Sequence, residues 1–447
     1  MPSAIFTIGR TGLTASRLSL ELTAQNIANA ANPDYSRRNL TQNELVMTGA
    51  IGISASADSL GGIRPGVVVR AESALVQRQA RDTASGLAAA ESEFFAMREA
   101  ESAIETSGLF TGLVEFEAAL TRLEGNPLEP ALRLSALESA RQMAGNFRIA
   151  NGTLGNARSL VQDESSAEVL GVNELAAELA EVNRDLVAAR EGTAGRAALL
   201  DARDKALRGL SEQFGIATVI NDNGTADVTI EGTPPVALVT GGTAASVSVS
   251  FAADGTATFA VGGTSFDPAS GAMAGRAAAL GQMAGLQTEI DTIAASAIAI
   301  ANAAQGAGVD EAGNPGQPLF SGTGAGDIDV ALASATGLAT APAGSPAGSR
   351  DTGNLAALLA ALGAETGPGA EADALLLSLS SRVAALDTRR EGLSVVAASA
   401  EAELLRETGV DLDTEAANLV RLQQAFEANS RVIQVATELF DTLLGLR

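Results

Sequence analysis

The sequence predicts a mainly α-helical chain with a small inserted β domain, its N- and C-terminal helices paired as a coiled coil. Three observations carry this. Apolar residues recur every seven positions at both ends; Ala- and Leu-rich segments with helical spacing fill most of the interior; and one stretch, Ile216 to Phe266, turns instead to Val, Thr and Gly. The helical domain is therefore discontinuous, assembled from both halves of the chain around a nested β insert.

At the N-terminus Phe6, Leu13, Leu20 and Ile27 are spaced by seven, with Gly9, Ser16 and Thr23 at the intervening d-type positions. At the C-terminus Leu412, Leu419, Phe426, Ile433 and Phe440 repeat in the same way, with Glu415, Leu422, Asn429, Ala436 and Leu443 between them. A 3.5-residue period keeps one narrow seam facing a partner helix. Two packings fit this pattern: a coiled coil in which small residues of the first helix receive large ones of the last, or two amphipathic helices laid separately on a globular body. Pro33 ends the first helix, because the residue before proline is pushed out of the α region. Asp413 is the expected N-cap of the last, with Glu415 in its first turn and Arg447 at its end, both suited to the helix dipole.

The interior reads as helices over Ala71 to Ile104, Thr111 to Glu124, Pro130 to about Asn151, Asn173 to Arg190 and Ala197 to Phe214. In the β insert the runs Ala226 to Glu231 and Val247 to Phe251 read as strands, and Asn223-Gly224 and Asp254-Gly255 as hairpin turns. Ala272 to Ala304 is helical again. Loose Gly/Pro-rich stretches, Gly306 to Thr323 and Thr336 to Ser349, precede helices over Leu355 to Leu362 and Ala372 to Glu407. The expected divisions are 1–35 and 410–447 for the two halves of the coiled-coil domain, 36–215 and 271–409 for the helical domain, and 216–270 for the β insert.

Composition narrows function. The chain of 447 residues carries a formal charge of −24, which disfavours nucleic acid or an anionic lipid surface as a partner. It contains neither Cys nor His, so thiolate nucleophiles, disulfides, Cys/His zinc sites and imidazole bases are excluded. No cofactor, metal site or catalytic residue is expected. Asp411-Leu412-Asp413 reads as helix capping rather than a metal site, and Asp310-Glu311 before Gly313-Asn314 as a turn. Lys205, the only lysine, lies between Asp201 and Asp204 on what reads as a charged helix face, and the Gly-rich segments lack the Lys-Ser/Thr of a phosphate loop. Met1 to Asn26 does not read as a secretory signal, and the most apolar stretch, Ile290 to Asn302, is too short to span a membrane.

The ends also carry a family likeness. "LTAQNIANAANPDYSRR", Leu22 to Arg38, resembles the N-terminal motif of bacterial flagellar axial proteins (rod, hook and hook-associated subunits), with Asn26, Asn29, Pro33, Tyr35 and Arg37 at the motif's positions. Gly409 to Arg447 is similar to the same family's C-terminus. Internal segments, Gly125 to Phe147, Gly192 to Ile216, Asn221 to Gly224 and Asn314 to Val330, are most similar to the members that join hook to filament. Departures are Asn32 for the common threonine, Asp34 for glycine at a turn that aspartate tolerates in the left-handed conformation, and Arg38 for glutamine, read as a surface change.

The resemblance implies a structural subunit, not an enzyme. It implies export unfolded through the flagellar type III channel without a cleaved signal, and an extracellular place at the hook–filament junction. Paired terminal helices would line the inner tube, with the helical domain next and the β insert outermost. Implied partners are further copies in a ring, the flagellar hook protein, the second junction protein (hook-associated protein 3) and a cytoplasmic export chaperone at the C-terminal helix, with neither nucleic acid nor membrane insertion. Tyr35 serves within the chain or against a neighbouring subunit. The alternatives are another axial subunit, such as the hook protein, or a secreted carboxylate-dependent hydrolase with two acids converging in a cleft.

Overall fold

The computed structural model describes residues 2–44 and 62–445. It is mainly helical. Helix α1 (Pro2–Ala28) is followed by strands β1 (Arg38–Glu44) and β2 (Ile63–Arg70), then by α2 (Ala74–Thr106), α3 (Leu109–Gly125), α4 (Pro130–Ala188) and α5 (Ala194–Gln213). Eight strands follow: β3 (Ile216–Ile220), β4 (Ala226–Ile230), β5 (Gly232–Thr233), β6 (Val236–Thr240), β7 (Thr243–Ala244), β8 (Val247–Phe251), β9 (Ala257–Val261) and β10 (Thr264–Pro268). After α6 (Ala272–Ala307) come two-residue strands at Gly308–Val309, Phe320–Ser321, Asp329–Val330 and Ala341–Pro342, then α7 (Gly353–Leu362), α8 (Pro368–Thr408) and α9 (Leu412–Gly445). No helix among the described residues is long and apolar enough to cross a membrane.

The chain divides into two compact units. One comprises residues 1–85, 171–247 and 394–447, the other 86–170 and 248–393, so α2, α4 and α8 each contribute residues to both. In the first unit β3, β4, β6 and β7 form an antiparallel sheet in that order, the β3–β4 turn carrying Gly224 at φ 82°. In the second, β8, β9 and β10 share a sheet in which Phe259 of β9 pairs with Phe266 of β10. Both turn dipeptides fall where expected.

Three departures from the sequence reading have physical causes. The break expected in α4 between Asn151 and Asn173 is absent. Residues 150, 154, 157, 161, 165, 169, 172, 176 and 179 form one unbroken buried stripe at helical spacing. Ser165 joins it by bonding the Val161 carbonyl at 2.6 Å. Gly152 and Gly155 lie off that stripe, and their cost of about 1 kcal/mol each is overridden by the packing. Second, α1 ends at Ala28, before Pro33, in successive turns closed by Asn32 N–H on the Asn29 carbonyl and Tyr35 N–H on the Asn32 carbonyl. Third, residues 38–44 and 63–70, placed in the helical domain with no element of their own, form the antiparallel strand pair β1 and β2, Arg38 opposite Arg70.

Helix-borne amides satisfy backbone groups at the first residues of three short strands. Asn173 bonds both backbone groups of Val247, Asn183 both of Ala226, and Asn302 both of Phe320, each standing in for a neighbouring strand. The large hydrophobic core lies in the second unit, where Phe116 meets Phe320 edge-on at 5.9 Å among side chains such as Met97, Leu120, Phe147 and Ile290. There Gly275 of α6 sits so close to α2 that a Cβ would lie 2.0 Å from the Ala89 carbonyl oxygen. Gly275→Ala is therefore expected to destabilise by about 3 kcal/mol, since backbone must move. A urea unfolding midpoint equal to wild type would refute this.

Candidate functional site

The site begins with helix geometry. Gly9, Gly12, Ala15 and Ser16 lie on one face of α1, and their small side chains allow close approach of α9. A Cβ on Gly9 would lie 2.9 Å from Ile433 Cγ1, and one on Gly12 2.5 Å from Asn429 Oδ1. Contacts run from Gly9 beside Ile433 to Asn26 beside Glu415, so the two helices are antiparallel.

The structure places the seam residues as follows. On α1 the buried positions are Gly9, Gly12, Ala15, Ser16, Leu22, Thr23 and Asn26, while Leu13, Leu20 and Ile27 are partly buried and Phe6 is exposed. On α9, Glu415 and Ala436 are buried; Leu419, Leu422, Phe426 and Ile433 are partly buried; Leu412 and Phe440 are exposed. The Leu443 side chain and Arg447 lie outside the described residues.

At one end of the pair the motif residues converge. Asn26 is fully buried, and its amide uses its whole bonding capacity. Nδ2 donates to the Arg38 carbonyl at 2.9 Å and to Glu415 Oε1 at 3.2 Å. Oδ1 accepts from the Tyr35 hydroxyl at 2.8 Å and from the Arg38 N–H at 3.1 Å. The Tyr35 ring lies under the Arg38 guanidinium, 4.7 Å from its centroid. Asn29 donates to the Gln25 carbonyl at 2.9 Å and closes the end of α1. The Pro33 carbonyl accepts from Arg208, and Arg37 N–H donates to the Thr408 carbonyl at the end of α8.

From Asn26 the network continues into α5 and β2. Arg38 donates to Asp201 at 2.5 Å, Arg70 to Asp201 at 3.0 Å, and Arg70 also pairs with Asp204. Gln77 and Arg203 complete the shell of Asp204 at 2.9 and 2.7 Å. Arg38 is therefore no surface change: it is buried and ion-paired. Nor is Asp201 on a solvated face; it sits in the buried stripe of α5 with Ala197, Leu207 and Ser211, while Lys205 is exposed. That stripe position was the legible signal for Asp201.

Asp34 does not adopt the left-handed conformation, since no described non-glycine residue has positive φ; its N–H caps on Asn32 Oδ1 and its carboxylate pairs with Arg208 at 2.9 Å. The cap of α9 is Asp411, not Asp413: its carboxylate accepts from the N–H groups of Asp413 and Thr414 at 2.9 and 3.1 Å. Asp413 already lies inside the helix, and Glu415, one turn on, is turned inward to Asn26.

Burial pushes the Tyr35 hydroxyl above its ordinary pKa; Arg38 opposes this, and Asp201 and Glu415 add to it. Burial also raises Asp201 against the pull of Arg38 and Arg70. At Asp204 burial acts the same way, but Arg70 and Arg203 together outweigh it and the carboxyl is lowered. For Tyr35, with its folded pKa raised, the stabilising contribution is full below the ordinary tyrosine value near 10 and is lost as pH rises through the folded value. Alkaline titration is therefore expected to loosen the joint, with tyrosinate absorbance rising later than for free tyrosine. A midpoint at or below the free value would contradict this. In acid, Asp204 contributes stability above the ordinary aspartate range that is lost as pH falls through its lowered folded value.

What this arrangement does chemically is hold: it ties α1, α9, β1, β2 and α5 to one polar centre. Residues 97–320, half of the chain, match the family described as the flagellar hook-associated protein FlgK helical domain. Residues 403–446 match the C-terminal region of the flagellar basal body rod FlgEFG proteins. The chain is 25% identical over 221 residues to flagellar hook-associated protein 1 of Bacillus subtilis (strain 168), covering 48% of this chain and 44% of that one. To the same-named protein of Escherichia coli (strain K12) it is 23% identical over 234 residues, covering 51% and 42%. It thus spans less than half the length of these relatives. The solved structure of the flagellar hook junction protein FlgK from Burkholderia pseudomallei shares the fold at a TM-score of 0.50, with 23% identity over 55% of this chain and 46% of that one. Matched across its helical domain and again at its C-terminal helix, the chain belongs to the flagellar hook-associated protein FlgK family.

Proposed function

We propose that the chain is a structural subunit, without enzymatic activity, that polymerises at the tip of the flagellar hook and forms the hook–filament junction. In this reading residues 1–35 and 410–447 form the inner assembly layer, 36–215 and 271–409 the helical domain, and 216–270 the β insert. The observation that carries it is apolar surface left on the paired terminal helices. Ile5, Phe6 and Ile8 of α1 and Val432, Val435, Leu439 and Phe440 of α9 are 38–54% exposed, at the same end of the pair. Exposed apolar side chains gathered at one place mark an association surface rather than a core. Further copies of the chain cover it in the ring, and the hook protein and second junction protein meet it above and below. Before export through the type III channel, a chaperone on the C-terminal helix would keep that surface from associating early.

A rod or hook subunit is the second reading, favoured by the C-terminal match of residues 403–446. The helical-domain match of residues 97–320 favours the junction. The test is reconstitution. Purified wild-type chain added to hooks of a strain lacking the gene is expected to restore filament growth from added flagellin, and a Phe6→Asp/Phe440→Asp variant is not. Equal growth with the double variant would sink the role of this surface.

A further inference from the structure

We propose that Asn223-Gly224, in the turn between β3 and β4, is a guarded deamidation site: reactive in the unfolded chain and held inert by the fold. The site lies apart from the terminal helices and stands whether or not the assembly reading holds.

The chemistry is that of an Asn-Gly dipeptide, in which the glycine has no side chain to hinder its own nitrogen. That nitrogen attacks the asparagine Cγ, the new N–Cγ bond closes a cyclic imide, and Nδ2 leaves as ammonia with the displaced amide proton. Water then opens the ring at either carbonyl. The product is aspartate or, with the main chain rerouted through Cβ and Cγ, isoaspartate.

The turn needs both residues. Gly224 has φ 82°, which favours glycine, and Asn223 Oδ1 accepts from the Thr225 N–H at 3.1 Å and its hydroxyl at 2.7 Å. Asn223 is exposed, so water reaches it. Protection comes from the bonds around the dipeptide. The attacking nitrogen is engaged, since the Gly224 N–H donates to the Asn221 carbonyl at 2.8 Å. The Asn223 carbonyl accepts from Arg196 at 2.6 Å and the Gly224 carbonyl from Arg203 at 2.7 Å. Attack requires the peptide between Asn223 and Gly224 to swing its nitrogen toward the side chain. That swing breaks the bonds to Asn221 and Arg196 together, and ring closure takes Oδ1 off Thr225. A cation on the Asn223 carbonyl also makes the adjoining N–H more acidic, which opposes the guard. The fixed peptide plane outweighs this, because it presents the nitrogen to Asn221 and not to Cγ.

Both arginines belong to α5, and Arg196 also holds the end of α4 through the carbonyls of Leu186 and Ala189. The guard is therefore anchored outside the turn. The other Asn-Gly of the chain, Asn151-Gly152, lies inside α4, with Asn151 Oδ1 accepting from Gln287 at 2.5 Å. Isoaspartate at 223 would lengthen the main chain by a methylene and add a charge near Asp222 and Asp227. The turn closed by the Asn221 N–H on the Thr225 carbonyl at 2.9 Å would then not be remade. The site thus records time spent unfolded.

Peptide mapping by mass spectrometry, after the purified full chain is held in mildly alkaline buffer with or without urea, reads both Asn-Gly sites. The folded chain is expected to keep its Asn223 amide on the order of ten-fold longer or more than the unfolded chain, because the swing breaks a hydrogen bond to a charged group. Equal rates would overturn the guard. Arg196→Met keeps the stem and removes the donor, so Asn223 is expected to deamidate about ten-fold faster than in wild type. Loss at the wild-type rate, or slower, would show that Arg196 guards nothing. Asn151 and hydrogen exchange over β6 check the fold, and both should stay at wild-type values. If β6 exchange rises, Thr225→Val takes the place of that variant, removing a donor from Oδ1 while leaving both arginines. It should also speed the loss of Asn223, and an unchanged rate there would overturn the proposal.

Discussion

Asn26→Asp is expected to release both terminal helices while the helical core of residues 86–170 and 248–393 stays folded. The substitution conserves volume, so no cavity is made and the effect isolates the hydrogen-bond pattern. It replaces two donor hydrogens with a carboxylate oxygen facing the Arg38 carbonyl and the Glu415 carboxylate. Two carboxylates at bonding distance in a buried site repel, and the two acceptors lose their donor. The expected loss is about 3–5 kcal/mol, the range for breaking a buried charged network at one partner. Limited trypsin digestion checks it, because Arg10 and Arg17 of α1 are exposed side chains on a helix that resists cleavage only while docked. Early cuts there, with the core persisting, are the expected pattern. Digestion at the wild-type rate would show that Asn26 holds nothing.

The second large effect lies in the other unit. Arg133→Met is expected to destabilise it by about 3–5 kcal/mol and to loosen the 335–340 loop first. Arg133 is 1% exposed. Its guanidinium donates to the carbonyls of Pro127 at 2.6 Å and Leu338 at 2.9 Å, to those of Ala335 and Thr336 at longer range, and to Thr340 Oγ1 at 3.0 Å. Methionine fills the volume of the stem but takes the donor from the carbonyls of Pro127 and Leu338 and from Thr340 Oγ1, while Ala335 and Thr336 keep backbone donors in Leu338 and Glu311. Arg133→Lys is not a rescue, because a single ammonium cannot reproduce the planar fan of donors. Urea unfolding measures the loss, and a lysine variant as stable as wild type would refute the account of this side chain.

Local signals were legible and composite ones were not. Heptads at Phe6 to Ile27 and Leu412 to Phe440 locate both terminal helices, and Asn223-Gly224 and Asp254-Gly255 locate two hairpins, because each signal is complete within a few residues. The joint is different in kind. Asn26 and Tyr35 are visible as motif residues, but the acceptor for Asn26 lies 389 positions away at Glu415. Arg38 looks like a surface residue until Asp201 is placed beside it, and Asp201 looks like one until its stripe on α5 is counted. Helix α4 runs on past the expected end near Asn151 because its buried stripe continues from Ala150 through Leu154, Ala157 and Val161. The runs Ala226 to Glu231 and Val247 to Phe251 are legible as strands, whereas the two-residue strand at Phe320 is held by the amide of Asn302 on α6, which no local pattern announces.

The central claim is that the paired terminal helices and their joint serve a subunit at the hook–filament junction. Electron microscopy of flagella from a strain lacking the gene, with flagellin assayed in the medium, tests it most directly. Completed hooks without filaments, and flagellin shed outside the cell, are the predicted result. Absent hooks would move the subunit down to the hook or rod, and normal filaments would contradict the junction role altogether.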